Sequence, residues 1–307
     1  MKASTWGVRP PQLADVESLA AIATAVSASS RQTASTPITT SQISQTVQQT
    51  NGRFWTITQA EQPIGFANLL PIPGLPHLFE LVGGIEPPFQ RQGAGSFLWQ
   101  HIKEAVAETV ISTGSMQAVH QISHTVSDLN SPAAYFLQQH NFTLAHEEWT
   151  MVLDSYPTTS PPPADCLLQK IDRETAVRTL PALYQRCFAH TPWFQPYTPD
   201  EISSSWQAND SLYYLMENNV PIGFIWLHFS KNGQTEIEPI GIVPEKQGMG
   251  YGRFLLTTTL NKLPAKRRQT ITLGVWRNNH KAIHLYQTVG FRHVSSSTIL
   301  TFTVPPT

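Results

Sequence analysis

Charge is scarce in this chain: Asp, Glu, Lys and Arg make up 13% of its 307 residues and leave a net charge of −1. A nucleic-acid groove or an anionic membrane surface needs a concentrated positive field, and no such footprint is present, so neither partner is expected. The one basic cluster, Lys262 to Arg268, follows a helix-like run, where cations suit the C-terminal dipole, and reads as a solvated helix end. Cysteine is nearly absent too. Cys166 and Cys187 are too few for a disulfide framework or a zinc knuckle, which fits a reducing cytoplasm. The first residues, MKASTWGVRPPQ, lack an apolar signal core, and no run approaches the ~18 apolar residues of a membrane span. The expectation is a soluble cytoplasmic protein with no metal.

What is present is material for packed cores. Apolar residues reach 40% with eight Trp, which argues against disorder, and the length exceeds one typical domain of ~100–200 residues. The stretch Ser155–Asp165 holds four prolines and no apolar period, and reads as an extended linker. It divides the chain into 1–154, the linker 155–165, and 166–307. The two halves resemble each other. Pro63–Ile64–Gly65–Phe66 recurs as Pro221–Ile222–Gly223–Phe224. Gln90, Gly93 and Gly95 recur as Gln247, Gly250 and Gly252, and Asn130 with Ala133 as Asn279 with Ala282. Three matches in one order at nearly constant offset indicate an internal duplication.

Each half repeats one series of elements. In the second, Cys166–Ile171 reads as a strand and Glu174–Phe188 as a helix, followed by a short helix over Pro199–Gln207. Leu212–Met216 and Ile222–His228 form a hairpin around Asn218–Asn219, and Asn232–Gly233 turns into a strand at Thr235–Val243. Next comes Gly248–Met249–Gly250–Tyr251–Gly252, then a helix with Leu256, Leu260 and Leu263 on one face. A strand over Ile271–Val275, a helix ended by Gly290 and an alternating tail, Ser297–Val304, complete the half. The first half has strands near Thr5–Arg9, Leu78–Ile85, Gln117–Val126 and Trp149–Asp154, and a hairpin from Phe54 to Leu70. Its helices cover Asp15–Val26, Ser41–Thr50, Ser96–Thr109 and Pro132–His140. Strands interleaved with helices and hairpins predict the α/β class, with a mixed central sheet flanked by helices in each half.

A Gly-rich turn between strand and helix offers unpaired N–H groups to an anion, which alone is a weak signal. Gln247–x–x–Gly250–x–Gly252 together with Asn279–x–x–Ala282 and Leu285–Tyr286–x–x–x–Gly290–Phe291 is more specific. In these residues the second half resembles the GNAT acyl-CoA N-acyltransferase superfamily. The first half resembles it more weakly, through Gln90, Gly93, Gly95, Asn130, Asn141 and Phe142. The resemblance implies two tandem folds of this kind, a layout known in the family with a degenerate first copy and a working second one. It implies acetyl-CoA as donor, no metal, and a small-molecule amine as acceptor. The pyrophosphate would lie on the amides of Gly248, Met249, Gly250, Tyr251, Gly252 and Arg253, beside Gln247. The backbone of Ile240, Gly241 and Ile242 would pair with the pantetheine arm, and Asn279 would reach it by its side chain.

Acetyl transfer to an amine needs a neutral nucleophile and a proton for the departing thiolate. The family often places an acid on the strand leading into the loop, which makes Glu236 the candidate base. Glu238 shares its face by the strand period and is the runner-up; a solvated strand face is the plain alternative for both. Tyr286 stands where the family has its acid for the CoA sulfur, and would otherwise be a core aromatic. Asn279 would otherwise be a helix N-cap.

Aligning on the loop places Phe79 at the Glu236 position, while Leu137 falls at Tyr286 and Asn141 at Gly290. The first half is therefore expected to be non-catalytic, although Gln90, Arg91, Gln92, Gly93, Ala94, Gly95 and Ser96 could hold a second CoA. Trp193, Phe194, Tyr197 and Trp206 would wall an acceptor pocket or pack an interface. His120 and His124 share a strand face, without a third ligand for a metal. The functional expectation is an N-acetyltransferase working by direct attack in the second half. The alternative is a non-catalytic acyl-CoA-binding or regulatory protein. A Rossmann unit or a P-loop is a poor third reading, since neither loop carries Gly–x–Gly–x–x–Gly or Gly–Lys–Ser/Thr.

Overall fold

A computed structural model describes residues 6–29, 40–48, 53–72, 75–113, 121–163, 165–191, 194–230, 233–264, 268 and 270–305. Trp193, His120, Asn232 and residues 265–267 of the basic cluster lie outside them. The chain forms two compact units. The first comprises 1–145 with 298–307, the second 146–297.

The first unit contains β1 (Trp6–Arg9), α1 (Val16–Ser29), α2 (Thr40–Gln48), β2 (Phe54–Gln59), β3 (Gln62–Ile72) and β4 (Leu75–Ile85). It continues with α3 (Ala94–Thr113), β5 (Gln121–Val126), α4 (Pro132–Gln139) and the start of β6 (Thr143–Leu153). The second unit takes the rest of β6, then β7 (Cys166–Ile171), α5 (Arg173–Phe188), α6 (Pro199–Ser205), β8 (Ser211–Glu217) and β9 (Val220–Phe229). It ends with β10 (Gln234–Ile242), α7 (Tyr251–Lys262), β11 (Thr270–Trp276), α8 (His280–Val289) and most of β12 (Phe291–Thr303). Within each unit four strands form an antiparallel meander, and a fifth joins it in parallel, so the expected mixed sheets are present.

The sixth strand of each unit comes from the other half of the sequence. In the first unit β5 pairs antiparallel with Thr298–Thr303 of β12. In the second unit β11 pairs antiparallel with Glu148–Val152 of β6. The division between these compact units therefore runs through β6 and β12, whereas the sequence boundary was expected at the Pro-rich stretch 155–165. That stretch lies on the second unit. Ser160 N–H donates to Thr257 Oγ1 at 3.2 Å, and Asn261 Nδ2 donates to the Pro157 carbonyl at 3.0 Å. A proline-rich run suggested a spacer because it cannot form a ladder, yet its remaining polar groups find partners on α7.

The cores follow the periodicities read above. Leu256 and Leu260 of α7, and Leu263 at its C-cap, are buried with Leu255, and α7 packs on β9 and β10, each burial stabilising by about 1.5–3 kcal/mol. On β11, Ile271, Leu273 and Val275 face this core, so Thr272, Gly274 and Trp276 face the other side. Among the described residues no helix is long and apolar enough to cross a membrane.

Candidate active site in the second unit

The loop after β10 begins with a 3-10 turn over Pro244–Lys246 and enters α7 through Gly250, which caps the helix at φ 86°. That left-handed backbone is open to glycine without the ~1–2 kcal/mol that a Cβ costs there. A Cβ on Gly248, also at positive φ, would meet nothing within 4 Å, so the outer side of the loop is open space. Gln247 has an identifiable structural role: its Nε2 donates to the Ile242 carbonyl at 2.9 Å, bracing the loop against the strand. The first unit repeats the brace, Gln90 Nε2 to the Ile85 carbonyl at 2.7 Å. Arg253 is exposed and has no ion-pair partner among the described residues. Tyr251 is buried; its hydroxyl donates to Glu217, which also pairs with Lys246 at 2.5 Å.

Beside the loop two parallel strands part. β10 and β11 are paired from Gln234–Thr270 to Ile237–Leu273 and no further. A bulge then shifts β10, and Ile240, Gly241 and Ile242 pair with β9 alone among the described residues. Their free edge faces the gap that opens toward Gly274–Trp276. An extended polar arm could complete such an edge as an added strand. Asn279 caps α8, its Oδ1 accepting from Ala282 N–H at 3.2 Å. Leu285 touches Gly252, its Cδ2 standing 3.3 Å from where a Cβ would be, so α8 lies against the loop.

Tyr286, next on α8, is buried and its ring lies 6.1 Å from that of Phe291. Burial pushes its hydroxyl up to about 12, so it stays protonated at neutral pH and is a donor.

The carboxylates lie on the sheet face opposite Ile237, Ile271, Leu273 and Val275. Glu236 is exposed, sits across from His228 on β9 and Thr272 on β11, and borders a cavity of about 240 Å³ that also includes Gln207, Ser230 and Gln234. Glu238 keeps exposed surface, yet its carboxyl is pushed up to about 7. Desolvation of the carboxyl by surrounding protein is the main cause, Glu236 and Glu148 add like-charge repulsion, and His228 opposes it. His228 is held in turn: Nδ1 lies 2.9 Å from the buried Asp210 carboxylate and Nε2 lies 2.8 Å from the Glu238 carbonyl.

Glu148 is the residue sequence reasoning missed. It belongs to the first half of the chain and reaches this face only because β6 crosses to β11. Tyr184 and Tyr197 flank the acids, ring centroids 4.6 Å apart. Burial, with a contribution from Glu238, raises the hydroxyls of both, that of Tyr197 to about 12. Trp206 packs on Trp226 in the core at 5.3 Å.

The first unit differs in a way loop alignment misplaces. Gly65 pairs with Ile85 and Leu70 with Glu80, whereas Gly223 pairs with Ile242 and His228 with Glu236. The bulge in β10 adds one residue that β4 lacks, so Glu80, not Phe79, occupies the position of Glu236. Phe79 is a core residue. Leu137 does stand at the Tyr286 position, buried, and Asn141 takes the left-handed place of Gly290 at φ 66°. In the loop, Arg91 takes the positive φ of Gly248, Ser96 Oγ lies 3.0 Å from His140 Nε2, and a Cβ on Gly93 would be 3.3 Å from the Trp6 ring. His124 Nδ1 lies 2.7 Å from the Leu81 carbonyl, a sheet contact.

A mixed sheet whose parallel strands part beside a Gly-rich loop defines the class: an acyl-CoA N-acyltransferase fold. The acetyltransferase (GNAT) family model matches residues 20–142 and 177–291, and the chain belongs to that family. Similar proteins include a mycothiol acetyltransferase of Acidothermus cellulolyticus, 30% identical over 36% of this chain and 40% of its own length. Another, from Gordonia bronchialis, is 28% identical over 32% of this chain, so these two matches span well under half of each relative. The match to the mycothiol acetyltransferase of Thermobispora bispora is longer, 28% identical over 78% of this chain and 80% of the relative. Among solved structures, a GCN5-related N-acetyltransferase of Sphaerobacter thermophilus superposes with a TM-score of 0.68 at 15% identity, covering 98% of this chain and 96% of its own. A tandem GNAT protein from the clavulanic acid biosynthesis pathway gives 0.65 at 13% identity, covering 99% and 100%. These two share the fold.

Proposed function

We propose that the second unit transfers an acetyl group from acetyl-CoA to a primary amine of a small-molecule acceptor. The observation that carries the reading is that β10 bears an exposed acid, Glu236, and runs on into an edge that β11 leaves unpaired and an open Gly loop, against which packs α8, the helix of the buried Tyr286. Family membership and relatives named mycothiol acetyltransferase support acetyl transfer.

The residues present suit the donor. Gly248, Met249, Gly250, Tyr251, Gly252 and Arg253 would hold the pyrophosphate by backbone N–H and one free cation. Ile240, Gly241 and Ile242 would hold the pantetheine arm, with Asn279 and the Gln247 brace keeping helix and loop in place. When bound, acetyl-CoA supplies a thioester already activated for attack. Glu236 takes the proton from the acceptor ammonium, directly or through water in the adjoining cavity, leaving the neutral amine free to attack. Tyr286 donates its O–H proton to the departing thiolate, and the proton that the nitrogen sheds as the neutral amide forms returns the phenolate to its O–H form. Glu238 carries its own proton to about pH 7, so at lower pH the acid face holds less negative charge and attracts a cationic acceptor less. Tyr184 and Tyr197 form the apolar side of the acceptor region.

The first unit keeps Glu80 but has Leu137 in place of the tyrosine, which favours binding without turnover there. Its loop from Gln90 to Ser96 would be a second CoA site. The test of the main reading is free-thiol release from acetyl-CoA with a library of primary amines. Glu236→Gln should abolish most of it, and equal rates in both proteins would end the assignment of Glu236.

A further inference from the structure

The acid face of the second unit contains a group that the family residues do not account for. Glu148 lies on β6 opposite Trp276 of β11, on the same face as Gly274 and Thr272, and Thr272 pairs with Glu236. Its side chain turns along β11. Glu148 Oε1 lies 2.5 Å from where a Cβ on Gly274 would stand, so the carboxylate occupies the space that this glycine leaves. Any side chain at 274 would displace it.

Glu148 is also uncompensated. Its neighbour Glu147 pairs with Arg277 at 2.8 Å, Glu217 pairs with Lys246, and Glu245 with Arg186. Among the described residues Glu148, Glu236 and Glu238 have no ion-pair partner and no hydrogen bond to their carboxylates. The groups facing the acid pair are Glu148 from β6, His228 from β9, and Tyr184 and Tyr197 from the α5 side, with Asp210 behind His228. Of these, Glu148 is the one added negative charge that faces the pair directly.

We propose that Glu148, carried into the second unit by a strand of the first half, is a positioning residue that keeps Glu236 and Glu238 in the protonation state required of the base. A half-buried carboxylate seated over Gly274 repels a second charge on the pair, so the pair gives up its last proton later and is a stronger base once ionised. In agreement, the Glu148 carboxyl is itself held high, first by burial and then by Glu236. The exchange of strands therefore has a chemical consequence: the first half of the sequence sets the proton affinity of the second half's acids.

The inference rests on the acetyltransferase reading for its kinetic test alone. In Glu148→Gln, which keeps the shape and removes the charge, the acid limb of the kcat/KM profile should move to lower pH by about half a unit or more. KM for acetyl-CoA should stay within about twofold, since Glu148 is not among the residues proposed to hold the donor. Gly274→Ala should move the limb the same way by pushing the carboxylate off its seat. The second readout needs no turnover. Carbon-13 NMR of the Glu carboxyls in the free protein should show the Glu238 midpoint lower in Glu148→Gln than in the unaltered chain. An unchanged midpoint in a variant whose far-ultraviolet dichroism is unaltered would overturn the role of Glu148. A lowered midpoint without acetylation of any amine would retire the enzyme reading and leave the coupling standing.

Discussion

The two units share strand order, loop brace and helix positions, and they part company over a handful of side chains. Glu80 and Glu236 hold the same register position, but β10 bulges between its acid and the loop where β4 does not, and the place of Tyr286 on α8 is taken by Leu137 on α4. In the first unit the residue after the last loop glycine, Ser96, is engaged with His140; in the second it is Arg253, an exposed cation. A duplicated fold thus keeps what folding requires in both copies, the Gln brace and the left-handed cap. The side chains proposed to handle protons and phosphate are the ones that differ between the copies.

The sharpest way to break this comparison is to remove the acid from each unit in turn. Glu236→Gln should lower kcat/KM by roughly 10³-fold, within the range of a lost general base. Glu80→Gln should leave it unchanged, because Leu137 offers no proton to a leaving group. Thiol-release kinetics on the two variants decide the matter, and equal losses would assign turnover to both units.

Tyr286→Phe comes next. Loss of the hydroxyl should reduce kcat by roughly 10²-fold while KM for acetyl-CoA changes little, since a proton donated at departure acts in the transition state alone. A matched fall in CoA affinity, read by calorimetry, would return Tyr286 to a packing role. Smaller still is the loop. Gly250→Ala places a Cβ at φ 86° and should weaken CoA binding by roughly five- to thirtyfold, as ~1–2 kcal/mol of backbone strain implies. Gly93→Ala should spare that affinity; a second, weaker binding event that it removes would show that the first loop holds CoA as well.

Most of this was legible in the residues. The glycines, the Leu256–Leu260–Leu263 stripe and the alternation of Ile271, Leu273 and Val275 each lie where their period puts them. The exchange of strands was not, because Thr143–Glu148 and Phe291–Ser296 are largely polar and lack the alternation that marks a half-buried strand. Glu148 was hidden for the same reason. It lies far from Glu236 in sequence, and pairing across β11, which no local pattern encodes, puts the two on one face. The position of Glu80 was missed because the bulge of β10, marked only by Pro239 inside the strand, adds a residue, so counting back from the loop slips the register by one.

The smallest effect concerns stability, and it separates the units by a property the enzyme assay does not read. Glu238 has no partner cation, and its carboxyl is raised to about 7 by burial and by its acidic neighbours. Between the ordinary glutamate value near 4.3 and that folded value, the native chain binds more protons than the unfolded one. The native state therefore loses stability as pH rises through this window, and above it the full destabilisation remains. Glu238→Gln removes the charge that the fold resists. It should raise Tm modestly at pH 8 and leave it nearly unchanged at pH 4, where the native carboxyl is already protonated. Because Glu238 keeps exposed surface, solvent screening holds the gain small. Scanning calorimetry at the two pH values tests it. A Tm gain of the same size at both would mean that packing, and not charge, sets the effect, and the raised proton affinity of Glu238 would have to be given up.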